Sequence, residues 1–463
     1  MDYLPLFVDL RGRSCLLVGG GEVAGRKLEL LLRAGANVEI VAPVLGARTR
    51  ELAHAHGLTH QARVFQAGDV TGRVLVVAAT DQASVNESVF IAASAANVLV
   101  NSVDQPAISN VIFPAIVDRS PVLVAISTGG GSPTLARTVR GWLEARLPAR
   151  LGALAGFIRE RRDQVKSSLE TIAERQRFWE RVINGPTAEQ VLQGNLAAAE
   201  RAFAVELAGS DRGFVALIGA GPGDPELLTL KALRLLQSAD VVLYDNLVNR
   251  QILEFARRDA EQIYVGKKWR AASTRQEAIN ALLVEQALAG RNVARLKGGD
   301  PFIFGRGGEE MAALLAVGVD CVVVPGITAA LGASSYAGIP LTHRDAAQSV
   351  RFVTGHRAHD RINLDWPELA RPDQTLVIYM GLPGIEEITR QLVAHGLPPD
   401  TPAALIEKAT LPEQRVVIAT AADLAERVRA VGVGGPTLAI VGNVVAFRQV
   451  SDARSGVSGG DNG

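Results

Sequence analysis

From Ser14 to Val100, short β-branched runs alternate with helical patterns. The runs are CLLVGGG at 15–21, VEIVAP at 38–43, VLVVAAT at 74–80 and VLVN at 98–101, with one helix through Lys27 to Leu32 and a second before the last run. Apolar runs of this length, separated by amphipathic stretches, predict an α/β unit with a parallel sheet covered on its faces by helices. A further β-rich stretch covers Val111 to Val117 and Pro121 to Ile126.

Between Thr134 and Leu207 the pattern changes to Arg, Glu, Ala and Leu at helical spacing. Leu154, Phe157, Ile158, Val165, Leu169 and Ile172 form an apolar stripe opposite the charged RERRDQ and ERQR segments, which predicts a helical region. Such a stripe suits a linker bundle or a face packed on a partner subunit, and the pattern alone leaves both open. GSDRG at 209–213 then breaks two dissimilar patterns. A new α/β region opens with FVALIGAG and runs to about Val450 through the strand-like cores DVVLYD, VVVPG, TLVIYMG and LAIVGNVV. The polar, glycine-rich segment 451–463 is expected to be a disordered tail.

A chain of 463 residues is long enough for more than one core. Lys plus Arg and Asp plus Glu balance at 48 each, so no overall field draws in nucleic acid or an anionic membrane. The N-terminal MDYLPLFVDLRGRS has no basic segment leading into a long apolar run, and no transmembrane stretch follows, so a cytoplasmic location is expected. Cys15 and Cys321 lie far apart in strand-like runs and are expected to be buried hydrophobes. His54, His56 and His60 lack the spacing and the extra ligand of a metal set, so a solvated helix end and turn is expected and no metal site is predicted.

Residues 19–24, GGGEVA, follow a strand and open a helix, with Gly19, Gly21 and Ala24 at the three key places of a dinucleotide loop. Glycines let backbone amides approach a pyrophosphate at the positive end of the helix. The second strand ends in Ala42, Pro43 and Val44, where an acidic residue commonly holds the ribose, and Glu39 sits too early to serve. The loop by itself does not choose between NAD and NADP. GAGPGDPELLTL at 219–230 also follows a strand, but Pro222 lacks the amide a phosphate cradle needs, which favours an uncharged or cationic ligand.

GGGEVAGRK at 19–27, AATD at 78–81, NSVDQP at 101–106 and DRSPVLVAISTGGGSPTLAR at 118–137 resemble the N-terminal half of the siroheme synthase family. Six further motifs resemble, in order, its uroporphyrinogen III methyltransferase half, of the tetrapyrrole methylase family. They are VLYDNLV at 242–248, VGKK at 265–268, RLKGGDPFIFGRGGEE at 295–310, VVPGITAALGASSYAGIPLTHR at 323–344, VTGH at 353–356 and YMGL at 379–382.

The resemblance implies a Rossmann-like NAD-binding domain over 1–113, and a helical dimerisation region over 114–208 that completes the dehydrogenase and chelatase site. A two-lobed α/β methylase follows over 213–450. It implies methylation of uroporphyrinogen III at two ring carbons by S-adenosylmethionine, oxidation of precorrin-2 to sirohydrochlorin by NAD, and insertion of ferrous iron as substrate, in a homodimer. NAD would be held by Gly19, Gly21, Glu22, Val23, Pro43 and Val44. The methyl donor would be held by Pro222, Gly298, Gly299, Asp300, Ile303, Thr328, Ala329, Met380 and Ala409.

By the same resemblance Asp104 is the general base of the first half, and Asp245 and Lys267 are the proton acceptor and donor of the second. On spacing alone Asp104 caps the turn before Pro106, and Asp245 and Lys267 are surface charges. The polycarboxylate substrates call for cations, with Arg295, Lys297, Arg306, Arg344 and Arg351 as candidates in the second half and Arg137 and Arg140 in the first. The alternative is a methyltransferase whose N-terminal domain is non-catalytic or senses NAD.

Overall fold

The structure is a computed structural model that describes residues 3–209, 212–266, 276–355 and 362–449. The tail over 451–463 lies outside the described residues. Two compact units divide between Ala155 and Gly156.

In the first unit, β1 (Ser14–Val18), β2 (Asn37–Val41), β3 (Thr59–Gln61), β4 (Leu75–Ala78) and β5 (Leu99–Ser102) form a parallel sheet ordered β3-β2-β1-β4-β5. Both faces are covered, so β1 and β4 carry unbroken apolar runs rather than alternation. The strand order reverses between β1 and β4, which places the turn after β1 at the topological switch point. An antiparallel hairpin of β6 (Ala115–Arg119) and β7 (Val122–Ile126) follows, then a helix over Pro133–Arg146 whose N-terminus is capped by Ser132 Oγ.

The expected stripe from Leu154 to Ile172 belongs to two helices, not one. The helix Leu151–Ser168 ends, and Thr171 starts the helix Ile172–Asn184 through a capping box with Glu174. The new helix resets the phase, so Ile172 is 76% exposed while Phe178 and Val182 are buried. Phe157 and Phe178 meet Phe203 edge to face at 5.7 and 5.5 Å. Glu189, buried in the helix Pro186–Gln193, takes Lys231 Nζ at 2.5 Å and an Arg234 guanidinium nitrogen at 2.7 Å. This pairing ties the helical segment to the α/β part of the second unit.

That part holds two five-stranded sheets. The first is parallel, ordered β10-β9-β11-β8-β12, from β8 (Val215–Gly219), β9 (Val241–Tyr244), β10 (Glu261–Tyr264), β11 (Val293–Lys297) and β12 (Cys321–Val324). The second is mixed, ordered β13-β14-β17-β15-β16, from β13 (Ser349–Thr354), β14 (Gln374–Tyr379), β15 (Pro402–Glu407), β16 (Arg415–Thr420) and β17 (Thr437–Val441). Only β13 and β14 run parallel there. Cys15 is buried and Cys321 half-buried, and burial pushes both thiols up, Cys321 to about 12, which makes them inert apolar side chains.

Candidate functional site

The turn after β1 is shaped by its neighbours. Gly19 has φ +121°, and a Cβ there would stand 2.3 Å from the Ala79 carbonyl oxygen. A Cβ on Gly20 would stand 2.2 Å from the Val44 oxygen, whereas Gly21 faces open space. Gly21 is the extended N-cap of the helix Glu22–Arg33, whose first-turn amides take no side-chain cap. Uncapped amides beside an open glycine fit a pyrophosphate. Glu22 is exposed and Val23 half-buried in that first turn, while Pro43 and Val44 lie exposed in the bend just past β2. Glu39, as expected, is spent elsewhere: Arg73 and Gln61 hold its carboxylate, and the Arg73 contact keeps it below the usual range.

Asp104 sits at φ +58°, a conformation aspartate tolerates better than most residues, and its side chain is exposed. The turn Pro106–Ile108 is capped at Gln105 without a side-chain bond, and among the described residues the Asp104 carboxylate accepts no hydrogen bond. The capping role that spacing suggested is therefore not taken up. Lys27 lies in the field of Asp104, with its ammonium 4.4 Å over the Phe113 ring. Burial pushes that ammonium down against the pull of the carboxylate.

Of the three histidines, His54 and His56 are exposed at the end of the helix Ala47–Ala55. His60 lies in β3, not in a turn, with Nε2 2.8 Å from the Ala42 oxygen. No group of three or more metal-ligating side chains stands together among the described residues.

In the second unit the turns after β8, β11 and β12 close on one another. Gly221 and Gly299 exchange backbone hydrogen bonds at 3.2 and 2.7 Å. A Cβ on Gly326 would lie 2.2 Å from the Gly299 oxygen, and one on Gly219 2.4 Å from the Gly326 nitrogen. Asp300 fastens the stack, accepting from Gly326 N at 3.1 Å and Phe302 N at 2.8 Å. Pro222 is packed on Gly332, where a Cβ would meet its ring at 2.4 Å, and Gly298 leaves similarly little room beside Leu247.

The second sheet adds Met380, at φ +52° and 47% exposed just past β14, and Ala409, whose carbonyl oxygen lies beside Gly223. Thr328 Oγ1 meets Tyr379 OH at 2.7 Å, and the Ala330 amide donates to the same oxygen at 3.0 Å. Ile303 and Ala329 are half-buried against the Tyr379 cluster. Thus Pro222, Gly298, Gly299, Asp300, Ile303, Thr328, Ala329, Met380 and Ala409 come together around turns in which Gly219, Gly298, Gly326 and Gly332 leave no space for added side chains. Leu247, Phe302 and Met380 stay about half exposed nearby, which fits a ligand carrying apolar surface and a sulfonium.

Asp245 ends β9, accepts from Leu247 N at 3.0 Å, and is paired with Arg295 at 3.1 Å. Lys267 lies outside the described residues. Arg295 and Lys297 are corrected as surface cations: they are 3% and 5% exposed and bonded to buried Glu310. Alternation along β11 turns both inward to the helix that follows, and sequence gave no sign of it because a strand end reads as accessible. Arg306, Arg351 and Arg140 are each paired with a glutamate, Glu309, Glu368 and Glu144, while Arg344 and Arg137 are exposed.

Residues that sequence reasoning missed are those that lock the loops. Tyr336 OH donates to Asp224 at 2.6 Å, the Asp224 amide donates to Thr410 Oγ1 at 2.9 Å, and Asn249 donates to the Gly223 oxygen at 2.8 Å. Such pairs span up to 186 positions, and no local pattern marks them.

Comparison with known proteins follows the same order along the chain. An NAD(P)-binding family matches residues 6–115, the sirohaem synthase dimerisation region matches 150–207, and the tetrapyrrole (corrin/porphyrin) methylases match 215–425. Siroheme synthase from Stutzerimonas stutzeri (strain A1501) is 53% identical over 97% of both chains. The chain belongs to the siroheme synthase family.

A siroheme synthase from Nitrosospira multiformis is 51% identical over 96% of each chain. Among solved structures, uroporphyrin-III C-methyl transferase from Thermus thermophilus, complexed with S-adenyl homocysteine, is 46% identical over 50% of this chain and 99% of its own, with a TM-score of 0.44. As in other siroheme synthases, the cofactors are S-adenosylmethionine and NAD, and the enzyme is multifunctional. No helix among the described residues is long and apolar enough to cross a membrane.

Proposed function

We propose that this chain makes siroheme from uroporphyrinogen III: two methylations to precorrin-2, oxidation to sirohydrochlorin, and insertion of ferrous iron. The observation that carries this is the succession of an NAD-binding unit, a dimerisation region and a tetrapyrrole methylase along one chain, aligned end to end with siroheme synthases. We divide it into a dinucleotide domain over 1–113, a dimerisation region over 114–208 that completes the first site, and a methylase over 213–450. The assembly is a homodimer in the cytoplasm, its subunits joined through the helical region.

In the methylase, Pro222, Gly298, Gly299, Asp300, Ile303, Thr328, Ala329, Met380 and Ala409 hold the methyl donor. Bound S-adenosylmethionine supplies a methyl group on a positively charged sulfur. The chain's own task is to hold the electron-rich ring carbon in line and manage protons. Asp245, paired with Arg295 at 3.1 Å, accepts the proton that the methylated ring releases, and Lys267 is the donor.

In the first unit, Gly19, Gly21, Glu22, Val23, Pro43 and Val44 hold NAD, which accepts hydride when bound. Asp104, a carboxylate on an exposed turn, takes the accompanying proton. It also takes the pyrrole N–H protons displaced as ferrous iron enters, where its charge favours the incoming cation.

The test is incubation with uroporphyrinogen III, S-adenosylmethionine, NAD and ferrous iron, omitting one component at a time and following absorbance. Each omission should accumulate the preceding intermediate. Absence of NADH on adding precorrin-2 would leave only the methyltransferase.

A further inference from the structure

Beneath the turns of the methylase lies a group of charges whose members are not among the residues assigned to the methyl donor. Arg295 and Lys297, two positions apart on β11, face the same way. Glu310, in the first turn of the helix Gly307–Ala316 and fully buried at 0% exposure, meets both. Its Oε1 accepts from Arg295 Nε at 3.2 Å, Lys297 Nζ at 3.0 Å and Gln276 Nε2 at 3.3 Å. Its Oε2 has no hydrogen-bond partner among the described residues.

The guanidinium is a rigid planar fork. Glu310 holds its Nε edge, and one terminal nitrogen donates to the Leu296 oxygen at 2.7 Å. The remaining nitrogen is thereby aimed at Asp245 Oδ2, 3.1 Å away. The other Asp245 oxygen is fixed by Leu247 N. A buried ion cluster with an unsatisfied oxygen is a poor source of stability compared with apolar packing. Its geometry serves direction instead.

We infer that Glu310 is a positioning residue for methyl transfer, acting through Arg295 to hold Asp245 in one orientation. This rests on Asp245 being the proton acceptor assigned above. Replacing Glu310 by glutamine keeps the shape but removes the negative charge, which weakens the hold on the guanidinium Nε edge, so the direction of Asp245 is set less firmly while the donor-binding turns stay intact.

The experiment is a double-mutant cycle on the full chain, with uroporphyrinogen III methylation as the assay. Glu310→Gln should lower kcat by roughly tenfold or more, with KM for S-adenosylmethionine unchanged. In an Asp245→Asn background it should cause no further loss. Equal losses in both backgrounds, an unchanged kcat, or an effect confined to KM overturns the positioning role alone. An undiminished kcat in Asp245→Asn overturns the Asp245 assignment and this inference with it. Should Glu310→Gln fail to accumulate as folded protein, Arg295→Lys enters the same cycle. It retains the charge without the fork, non-additivity with Asp245→Asn is again expected, and additivity overturns the idea.

Discussion

Two glycine-rich turns each follow an interior strand, GGG at 19–21 after β1 and GAGPG at 219–223 at the end of β8, and they leave different groups open. In the first, Gly19 and Gly20 are needed because neighbouring backbone passes within 2.3 Å of where a Cβ would be, which leaves Gly21 and the helix amides free. In the second, glycines of separate loops stack on one another, Pro222 replaces a free amide, and a second sheet contributes Tyr379 and Met380. The carboxylates differ in the same sense. Asp104 sits on an exposed turn without a hydrogen-bond partner among the described residues, while Asp245 and Asp300 are each held by hydrogen bonds. Similar glycine spelling therefore reports how closely backbone must pass, and the groups around it decide between an anion and a cation.

The largest expected effect breaks this contrast at its carboxylate. Asp104→Asn should cut NADH formation from precorrin-2 by about 10²- to 10⁴-fold, the usual worth of a general base, and leave methylation untouched. Survival of NADH formation would remove Asp104 from the mechanism.

Gly326→Ala should come next. With a Cβ 2.2 Å from the Gly299 oxygen, the stacked turns must separate, and methylation should fall at least about 100-fold. S-adenosylhomocysteine binding by calorimetry should fall too, whereas NADH formation should persist.

Gly21→Ala sharpens the other side. Its φ of −74° and open surroundings let alanine fit without strain, so thermal melting should hold or rise slightly. NAD titration should nevertheless show roughly tenfold weaker binding, because the methyl group stands where the dinucleotide approaches, about 1.4 kcal/mol. Unchanged affinity would move NAD away from this turn.

One effect lies apart from both turns, at Glu206, and touches stability rather than activity. Burial raises its carboxyl to about 7, although Thr187 donates to it at 3.1 Å. Because the folded value lies above the unfolded one, the native protein keeps a proton that the unfolded chain releases. This contribution is fully present below about pH 4.5 and is lost as pH rises through about 7. Glu206→Gln should flatten that decline, raising stability at pH 8 by about 1–3 kcal/mol, as urea midpoints at pH 5.5 and 8 would record.

Much of the first unit was legible because parallel strands buried on both faces spell out apolar runs, and the turn after β1 follows such a run directly. The helical region was read in type but not in phase: the stripe from Leu154 to Ile172 looks continuous until the Thr171–Glu174 box restarts the helix. The residues proposed to hold the methyl donor could be named from a motif series, yet their convergence from two sheets could not. Arg295 and Lys297 were misplaced because alternation gives the face of a strand without saying what covers it.

By itself the sequence determined where strands and helices alternate, which turns must be glycine, and which family the chain resembles, since these depend on local sterics and on patterns repeated along the chain. Tertiary structure alone decided that Asp104 has no hydrogen-bond partner among the described residues, that Asp245 is held by Arg295, itself held by Glu310, and that Tyr379 meets Thr328. Side chains far apart in the chain become partners only when the sheets are stacked, and burial then sets which charges are free to act and which are spent holding others in place.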